Sequence, residues 1–275
     1  MIKDLLVNLS VGPKKDAAID YAIALAARHE AHITAVAFAQ EPIVVGSIMD
    51  SMPSDIIEAQ RVENEKLANA ARATFDNAAA LAGVSRESHV FSSSAGGAAD
   101  QFGRMARRFD LSVAMQAEPD NAAPADLIIE AALFQSGRPV IVVPYVHTGG
   151  ADIERVMVCW DGGRTAARAI GDALPLLVGA KSVDVVMITG EEGKRDAIPG
   201  ADMGQHLARH GVKVDVKRIV AEADVQAMLL SYAADISADF IVMGGYGHSR
   251  LRELILGGVT RSMLASMTVP CLMSH

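Results

Sequence analysis

The sequence has few of the residues that mark several classes of protein. Aromatic residues fill 4% of its 275 positions, with a single tryptophan, and there are two cysteines. Cys159 and Cys271 both lie in apolar runs, where a thiol packs as a small hydrophobic side chain. Neither has a partner at metal-ligand spacing, so the sequence supports neither a disulfide framework nor a cysteine metal site.

Long apolar runs and an excess of basic residues are also lacking. No run of about 18 apolar residues occurs, so no membrane-spanning segment is predicted. The first residues, MIKDLLVNLSVG, do not resemble a signal peptide. The 33 acidic residues outnumber the 25 Lys and Arg residues, and the net charge of −8 disfavours binding to nucleic acid or anionic membranes. We therefore expect a cytoplasmic protein.

Common enzyme signatures are missing too. The chain has no Gly-Lys-Ser/Thr phosphate loop, no Gly-x-Ser-x-Gly elbow and no dinucleotide fingerprint after its first predicted strand. His206 and His210 stand four residues apart on a predicted helix, but no third ligand is evident, so no metal site is predicted. The sequence thus assigns no catalytic residue.

Short apolar runs, typical of buried parallel strands, alternate with amphipathic stretches typical of helices. This alternation predicts an α/β fold with parallel sheets and right-handed crossovers. The predicted strands are 5–9, 33–38, 87–91, 111–115 and 140–143, then 155–159, 183–188, 212–220, 240–243 and 269–273. The predicted helices are 16–28, 56–82, 98–108, 166–177 and 225–236.

The two halves of the chain follow the same plan. Residues 2–7, IKDLLV, match residues 153–158, IERVMV, and the order and lengths of the predicted elements agree. The repeat predicts two doubly wound, five-stranded domains at 1–146 and 153–275. The Gly-rich, polar segment 147–152 is the expected linker.

The most informative stretch is 243–260, MGGYGHSRLRELILGGVT, which follows a predicted strand and opens a helix. Backbone N–H groups in such a loop, and at the helix N-terminus, can hold phosphate. Gly244 and Gly247 would let the backbone turn sharply and approach a ligand closely. Gly257 and Gly258 interrupt a helical pattern at a cost of about 0.5–1 kcal/mol each, which indicates close packing or ligand contact.

This stretch resembles the universal stress protein family. There the fourth strand ends in Met-Gly-x-x-Gly, and nine further residues lead to Gly-Ser or Gly-Thr. Here Met243, Gly244, Gly247 and Gly257 stand in those places. The resemblance is close over the second half of the chain and looser over the first. It implies two tandem domains of the adenine-nucleotide α-hydrolase type that pair as a pseudo-dimer within the chain; further homodimerisation is left open.

The resemblance further implies a site for ATP or AMP, with or without Mg²⁺, in the second domain. Asp161 corresponds to the Asp that contacts the nucleoside, and Ile188 to a position whose backbone meets adenine. Gly258 stands where nucleotide binders of the family carry Ser or Thr, and losing that hydroxyl costs about 0.5–1.5 kcal/mol. The other positions implied to contact the nucleotide are Met243, Gly244, Gly247, His248, Gly257, Val259 and Thr260.

The first domain departs from the pattern. Ser10 takes the place of Asp161, and Glu118 takes the place of Gly247. A carboxylate there would repel phosphate, so this domain is expected to bind no nucleotide.

The leading hypothesis is a stress-response protein that binds an adenine nucleotide in its second domain for signalling or protection, with an unknown protein partner and no primary catalytic role. One alternative is an interaction module that binds no nucleotide and works through its surfaces. The other is a slow ATP hydrolase.

Overall fold

A computed structural model describes residues 1–12, 14–42, 54–118, 122–189, 201–220, 224–245 and 259–275. Ten strands form one sheet, and eight helices are described around it. The strands are β1 Asp4–Leu9, β2 His32–Gln40, β3 Arg86–Ser93, β4 Leu111–Met115, β5 Val140–Val143, β6 Arg155–Cys159, β7 Ser182–Thr189, β8 Val214–Val220, β9 Phe240–Gly244 and β10 Cys271–Ser274. The helices are α1 Ala17–His29, α2 Ser54–Leu81, α3 Ala95–Ala106, α4 Ala122–Gln135, α5 Arg164–Leu177, α6 Ala201–Arg209, α7 Val225–Asp235 and α8 Val259–Ser266.

The strand order across the sheet is β3-β2-β1-β4-β5-β10-β9-β6-β7-β8. Strands β1–β5 are parallel to one another, as are strands β6–β10. Each half therefore has the doubly wound order, in which the chain reverses its direction across the sheet once. This confirms the predicted fold class, and the ends of all ten strands lie within two residues of their predicted positions.

The two halves meet through β5 and β10, which pair antiparallel. The ten strands consequently form one continuous sheet, which the sequence did not reveal. At the centre of this junction Ile141 pairs with Leu272, and both side chains are fully buried. These two residues hold equivalent positions in the halves, so the junction has the self-complementary form of a two-fold interface.

Equivalent aspartates make equivalent bonds at the start of each half. Asp110 accepts hydrogen bonds from the backbone N–H groups of Lys3 and Asp4 at 2.7 and 3.1 Å. Asp239 does the same for Glu154 and Arg155 at 3.0–3.1 Å. Each carboxylate fixes the first strand of its half beside the fourth, which explains why Asp recurs at this point of the repeat.

Helices cover both faces of the sheet. One apolar cluster lies between the sheet and helices α1, α2, α5 and α6, and the other between the sheet and helices α3, α4, α7 and α8. Both clusters contain residues of the two halves, so the core is continuous across the β5–β10 junction. Cys271 is buried and Cys159 partly buried, and both thiols are free, as expected. Among the described residues no helix is long and apolar enough to cross a membrane.

Candidate functional site

The candidate site in the second half lies where β6 and β9 run side by side. In the sheet β6 lies between β9 and β7. The connection after β6 leads to β7 on one side, and the connection after β9 leads to β10 on the other, so the two connections diverge. In doubly wound sheets a crevice opens at this point, outside the carboxyl ends of the strands. Val158 pairs with Val242, so Asp161 and Gly244, which follow shortly after, come to the same edge.

Asp161 lies exposed in the short turn between β6 and α5. Its Oδ1 accepts the backbone N–H of Gly163 at 2.7 Å, and Gly162 has φ +76°, a left-handed conformation that favours glycine. Gly163 is the N-cap of α5 and offers no side-chain bond to the helix. The first turn of α5 therefore keeps backbone N–H groups without side-chain caps, directly beside the Asp161 carboxylate.

Gly244, at the end of β9, is enclosed by protein atoms. A Cβ at this position would lie 2.5 Å from the backbone nitrogen of Ala166 and 2.7 Å from the carbonyl carbon of Thr165. The sequence attributed Gly244 to close approach of a ligand. The structure provides a packing reason as well, because the first turn of α5 leaves no room for a side chain.

The neighbouring Gly245 is restricted from the other half of the chain. Its Cβ would meet the Leu133 side chain of α4 at 2.7 Å, and its backbone N–H donates to the Ser274 carbonyl at 2.8 Å. The equivalent residue of the first half is Gln116, whose N–H donates to the Val143 carbonyl at 2.8 Å. Its side-chain Nε2 donates to the carbonyl of Leu264, the residue equivalent to Leu133, at 2.7 Å. Thus α4 of the first half packs against the residue that follows β9, and α8 of the second half packs against the residue that follows β4.

The remaining described positions of the predicted site differ in what they expose. Ile188 is half-buried near the end of β7, at the same edge of the sheet. The Met243 side chain is 5% exposed and belongs to the core, so it offers little surface to a ligand. Val259 and Thr260 form the first turn of α8, with Thr260 buried. Gly247, His248, Gly257 and Gly258 lie outside the described residues.

The same edge of the first half contains a cavity of about 350 Å³. Four of its lining residues are the counterparts of predicted site positions: Ser10 of Asp161, Phe38 of Ile188, Met115 of Gly244 and Glu118 of Gly247. Sequence comparison identified Ser10 and Glu118 as departures from the family pattern. It missed Lys14, which lies 104 residues from Glu118 along the chain and forms an ion pair with it.

The described residues contain no group of three or more His, Cys, Asp or Glu side chains that could hold a metal ion. The rings of His206 and His210 lie 4.7 Å apart, centroid to centroid, in an edge-to-face arrangement. His206 lies in the last turn of α6 and His210 directly follows the helix, so the ring contact is local.

The fold is that of a doubly wound α/β protein. Residues 152–275 match the model of the universal stress protein family. The chain is also 26% identical, over 141 residues, to Universal stress protein Slr1230 of Synechocystis sp.; this alignment covers 49% of the chain and 46% of that relative, about half its length. The match of residues 152–275 to this family model agrees with the resemblance of the glycine loop.

Two solved structures share the fold over nearly the whole chain. A universal stress protein from Archaeoglobus fulgidus DSM 4304 is 14% identical, with a TM-score of 0.72 over 98% of this chain and 95% of that one. A functionally unknown protein from Pseudomonas aeruginosa PAO1 is 15% identical, with a TM-score of 0.60 over 99% of this chain and 92% of that one. At these identities the likeness establishes the fold alone.

Proposed function

We propose that the second domain, residues 153–275, binds an adenine nucleotide, ATP or AMP, and that the protein uses it as a signal or stabilising ligand in a stress response. The carrying observation is the meeting of three elements at one edge: the Asp161 turn, the first turn of α5 and the end of β9. They lie where the strand order reverses, within the residues that match the universal stress protein family.

The described groups fit the parts of such a ligand. The exposed carboxylate of Asp161 can accept hydrogen bonds from ribose hydroxyls, which charge makes stronger than neutral ones. The half-buried Ile188 offers apolar surface to the base. The N-terminus of α8 suits an anionic phosphate because backbone N–H groups and the helix dipole both favour negative charge there.

The role that we propose for the bound nucleotide is not primarily catalytic. In that case ATP binds without steady release of phosphate, and the protein changes its surface or stability according to which nucleotide is present. The first domain, residues 1–146, packs against the second through the β5–β10 junction and takes no nucleotide in this proposal.

The test is calorimetric titration of the purified chain with ATP and with AMP, after mass spectrometry of any ligand carried through purification. Asp161→Asn is the sharpest variant, because an amide oxygen can still accept the Gly163 N–H while the negative charge is removed. Hydrogen bonds to a charged group contribute about 1.5–3 kcal/mol, so affinity should fall about 10- to 100-fold.

The matched control is Ser10→Ala, which changes the equivalent position of the first half and should leave ATP affinity unchanged. Absence of binding at millimolar ATP in the unmodified chain would contradict the nucleotide proposal and favour an interaction module. Phosphate release at a steady rate would instead favour the hydrolase.

A further inference from the structure

Helix α8, whose N-terminus receives the phosphate in the proposed function, is bonded to the first domain further along its length. The carbonyl of Leu264, about 8 Å along the helix axis from Val259, accepts a hydrogen bond from Gln116 Nε2 at 2.7 Å. Gln116 belongs to the first domain and directly follows β4. We infer that Gln116 is a positioning residue for the second-domain nucleotide site and acts through α8, an inference that rests on the proposed function.

The position of α8 depends on its tertiary contacts. The described helix has eight residues, and a helix of this length is marginal in water without packing. The two residues directly before it in the sequence are Gly257 and Gly258, which carry no side chain that could cap its first N–H groups. The surroundings of α8 therefore decide where its first turn lies.

The apolar contacts of α8 define its position only loosely. Met263 is buried within the helix, and Met267, directly after it, is buried in the same apolar cluster. Methionine has three rotatable bonds and adapts to irregular space, so it fixes the position of a helix less than a branched side chain does. In α4, by contrast, the buried residues include the branched Ile128, Ile129 and Leu133. A directional hydrogen bond therefore contributes more to the placement of α8 than it would to that of α4.

The bond from Gln116 satisfies a backbone group near the end of α8. Leu264 is one of the last four residues of the helix, whose carbonyl oxygens need partners from outside it. Gln116 is 1% exposed, and its Oε1 is buried without a hydrogen-bond partner among the described residues. An apolar side chain of the same length would fill this place without leaving a buried oxygen unsatisfied, which costs free energy. The amide is therefore explained by its N–H group, which bonds α8.

The first domain also restricts the residue that follows β9. The Leu133 side chain of α4 lies so close to Gly245 that an added Cβ would be 2.7 Å from Leu133 Cδ2. In the opposite direction Gly245, the counterpart of Gln116, has no side chain with which to bond α4. The positioning therefore runs from the first domain to the second. A domain that takes no nucleotide in the proposed function thus acts on the site of the other.

Loss of the bond should lower nucleotide affinity without removing any group that we expect to touch the nucleotide. Without the bond α8 occupies its binding-competent position for a smaller fraction of the time, and the apparent dissociation constant rises in inverse proportion to that fraction. Gln116→Met keeps the side-chain length and removes the donor. We expect it to weaken ATP binding about 3- to 10-fold in calorimetry. In the ligand-free chain it should speed amide hydrogen exchange in α8 by a similar factor and leave exchange in α4 unchanged.

Asn64→Leu is the matched control for Gln116→Met. Asn64 also donates from a side-chain amide, at 2.6 Å to the Gln40 carbonyl, at a half-buried place of the first domain. This variant should lose stability in urea denaturation and keep ATP affinity within twofold. The positioning role is overturned if both variants weaken ATP binding equally, or if Gln116→Met binds ATP as tightly as the unmodified chain.

The unmodified chain provides a second measurement, which does not depend on how a variant at position 116 folds. At an ATP concentration that half-saturates it, the side-chain N–H resonances of Gln116 should move in NMR, and in Asp161→Asn at the same concentration most of this movement should be lost. Resonances that stay in place in an ATP-saturated chain, or that move equally in Asp161→Asn, overturn the inference. A chain that binds no ATP overturns the nucleotide proposal and this inference together, so the two failures are distinguishable.

Discussion

Substituting Gly244 separates the two explanations for glycine at the end of β9. In Gly244→Ala the new methyl group would lie 2.5 Å from the Ala166 nitrogen, 2.6 Å from Thr165 Oγ1 and 2.7 Å from the Thr165 carbonyl carbon. Two of these atoms are backbone of the first turn of α5, so no change of rotamer relieves the contact. Overpacking of this kind typically costs about 1–3 kcal/mol.

Part of that cost is offset in the unfolded chain, because Ala loses less conformational freedom on folding than Gly, a gain of about 0.4–1 kcal/mol. A net loss of about 1–2 kcal/mol should lower the melting temperature by about 2–8 °C. The assay is urea and thermal denaturation of the ligand-free chain, followed by the fluorescence of Trp160, the single tryptophan, which packs against the apolar cluster that contains α5.

Gly171→Ala is the matched control for Gly244→Ala. Gly171 is exposed inside α5, and nothing lies within 4 Å of its added Cβ, so this variant should be stabilised by about 0.5–1 kcal/mol. If Gly244→Ala keeps the midpoint of the unmodified protein but loses ATP binding, the packing explanation is wrong, and glycine is required there for the ligand alone.

Two further predictions concern buried groups. Burial raises the pKa of the Asp16 carboxyl, which accepts N–H bonds from Ser10 at 2.6 Å and Ala18 at 2.9 Å. The contribution of this carboxyl to stability is therefore complete below its ordinary pKa and is lost as pH rises through the raised pKa. The unfolding free energy of the unmodified chain, relative to that of Asp16→Asn, should fall as pH increases from about 4. A difference that grows with pH would contradict this sign. Leu272→Ala, at the centre of the β5–β10 junction, should cost about 2–5 kcal/mol in urea denaturation, whereas Leu81→Ala, 90% exposed, should change stability by less than about 0.5 kcal/mol.

Eight of the ten described strands could be predicted because they are short apolar runs bounded by polar residues, as buried parallel strands are. The edge strands β3, RESHVFSS, and β8, VDVKRIV, are more polar and lie half-buried or exposed. Helix α4 was not predicted. Its sequence, AAPADLIIEAALFQ, is apolar on nearly every side, since it packs both on the sheet and near the other half of the chain, and a periodic pattern is then absent. The continuous ten-stranded sheet was not predicted either, because the β5–β10 pairing leaves no mark in the alternation of elements.

Sequence patterns likewise indicated some residues of the two candidate edges and missed the contacts that distant residues make there. Asp161 and Ile188 were assigned through the family resemblance and lie at one edge of the sheet, and their contact with a nucleotide stays a prediction. The partners of Glu118 and Gln116 were not found, since Lys14 and Leu264 lie 104 and 148 residues away along the chain. The Gln116–Leu264 contact depends on how the two halves pack, and the Lys14–Glu118 pair depends on how two loops of the first half meet; the spacing of residues reports neither.

The two halves show how one backbone yields two chemically different edges. At the position after β4 and β9, the backbone N–H makes the same bond at the same length in both halves, yet one half has Gln116 and the other Gly245. The difference follows from the helix that each residue meets across the junction. At Gly245 the Leu133 side chain of α4 leaves no room for a Cβ, whereas the Gln116 side chain donates a hydrogen bond to the backbone carbonyl of Leu264 in α8. The side chain that makes the first edge amide-lined is thus held by α8, the helix whose first turn borders the second edge. A change at position 116 therefore has to be tested at both edges.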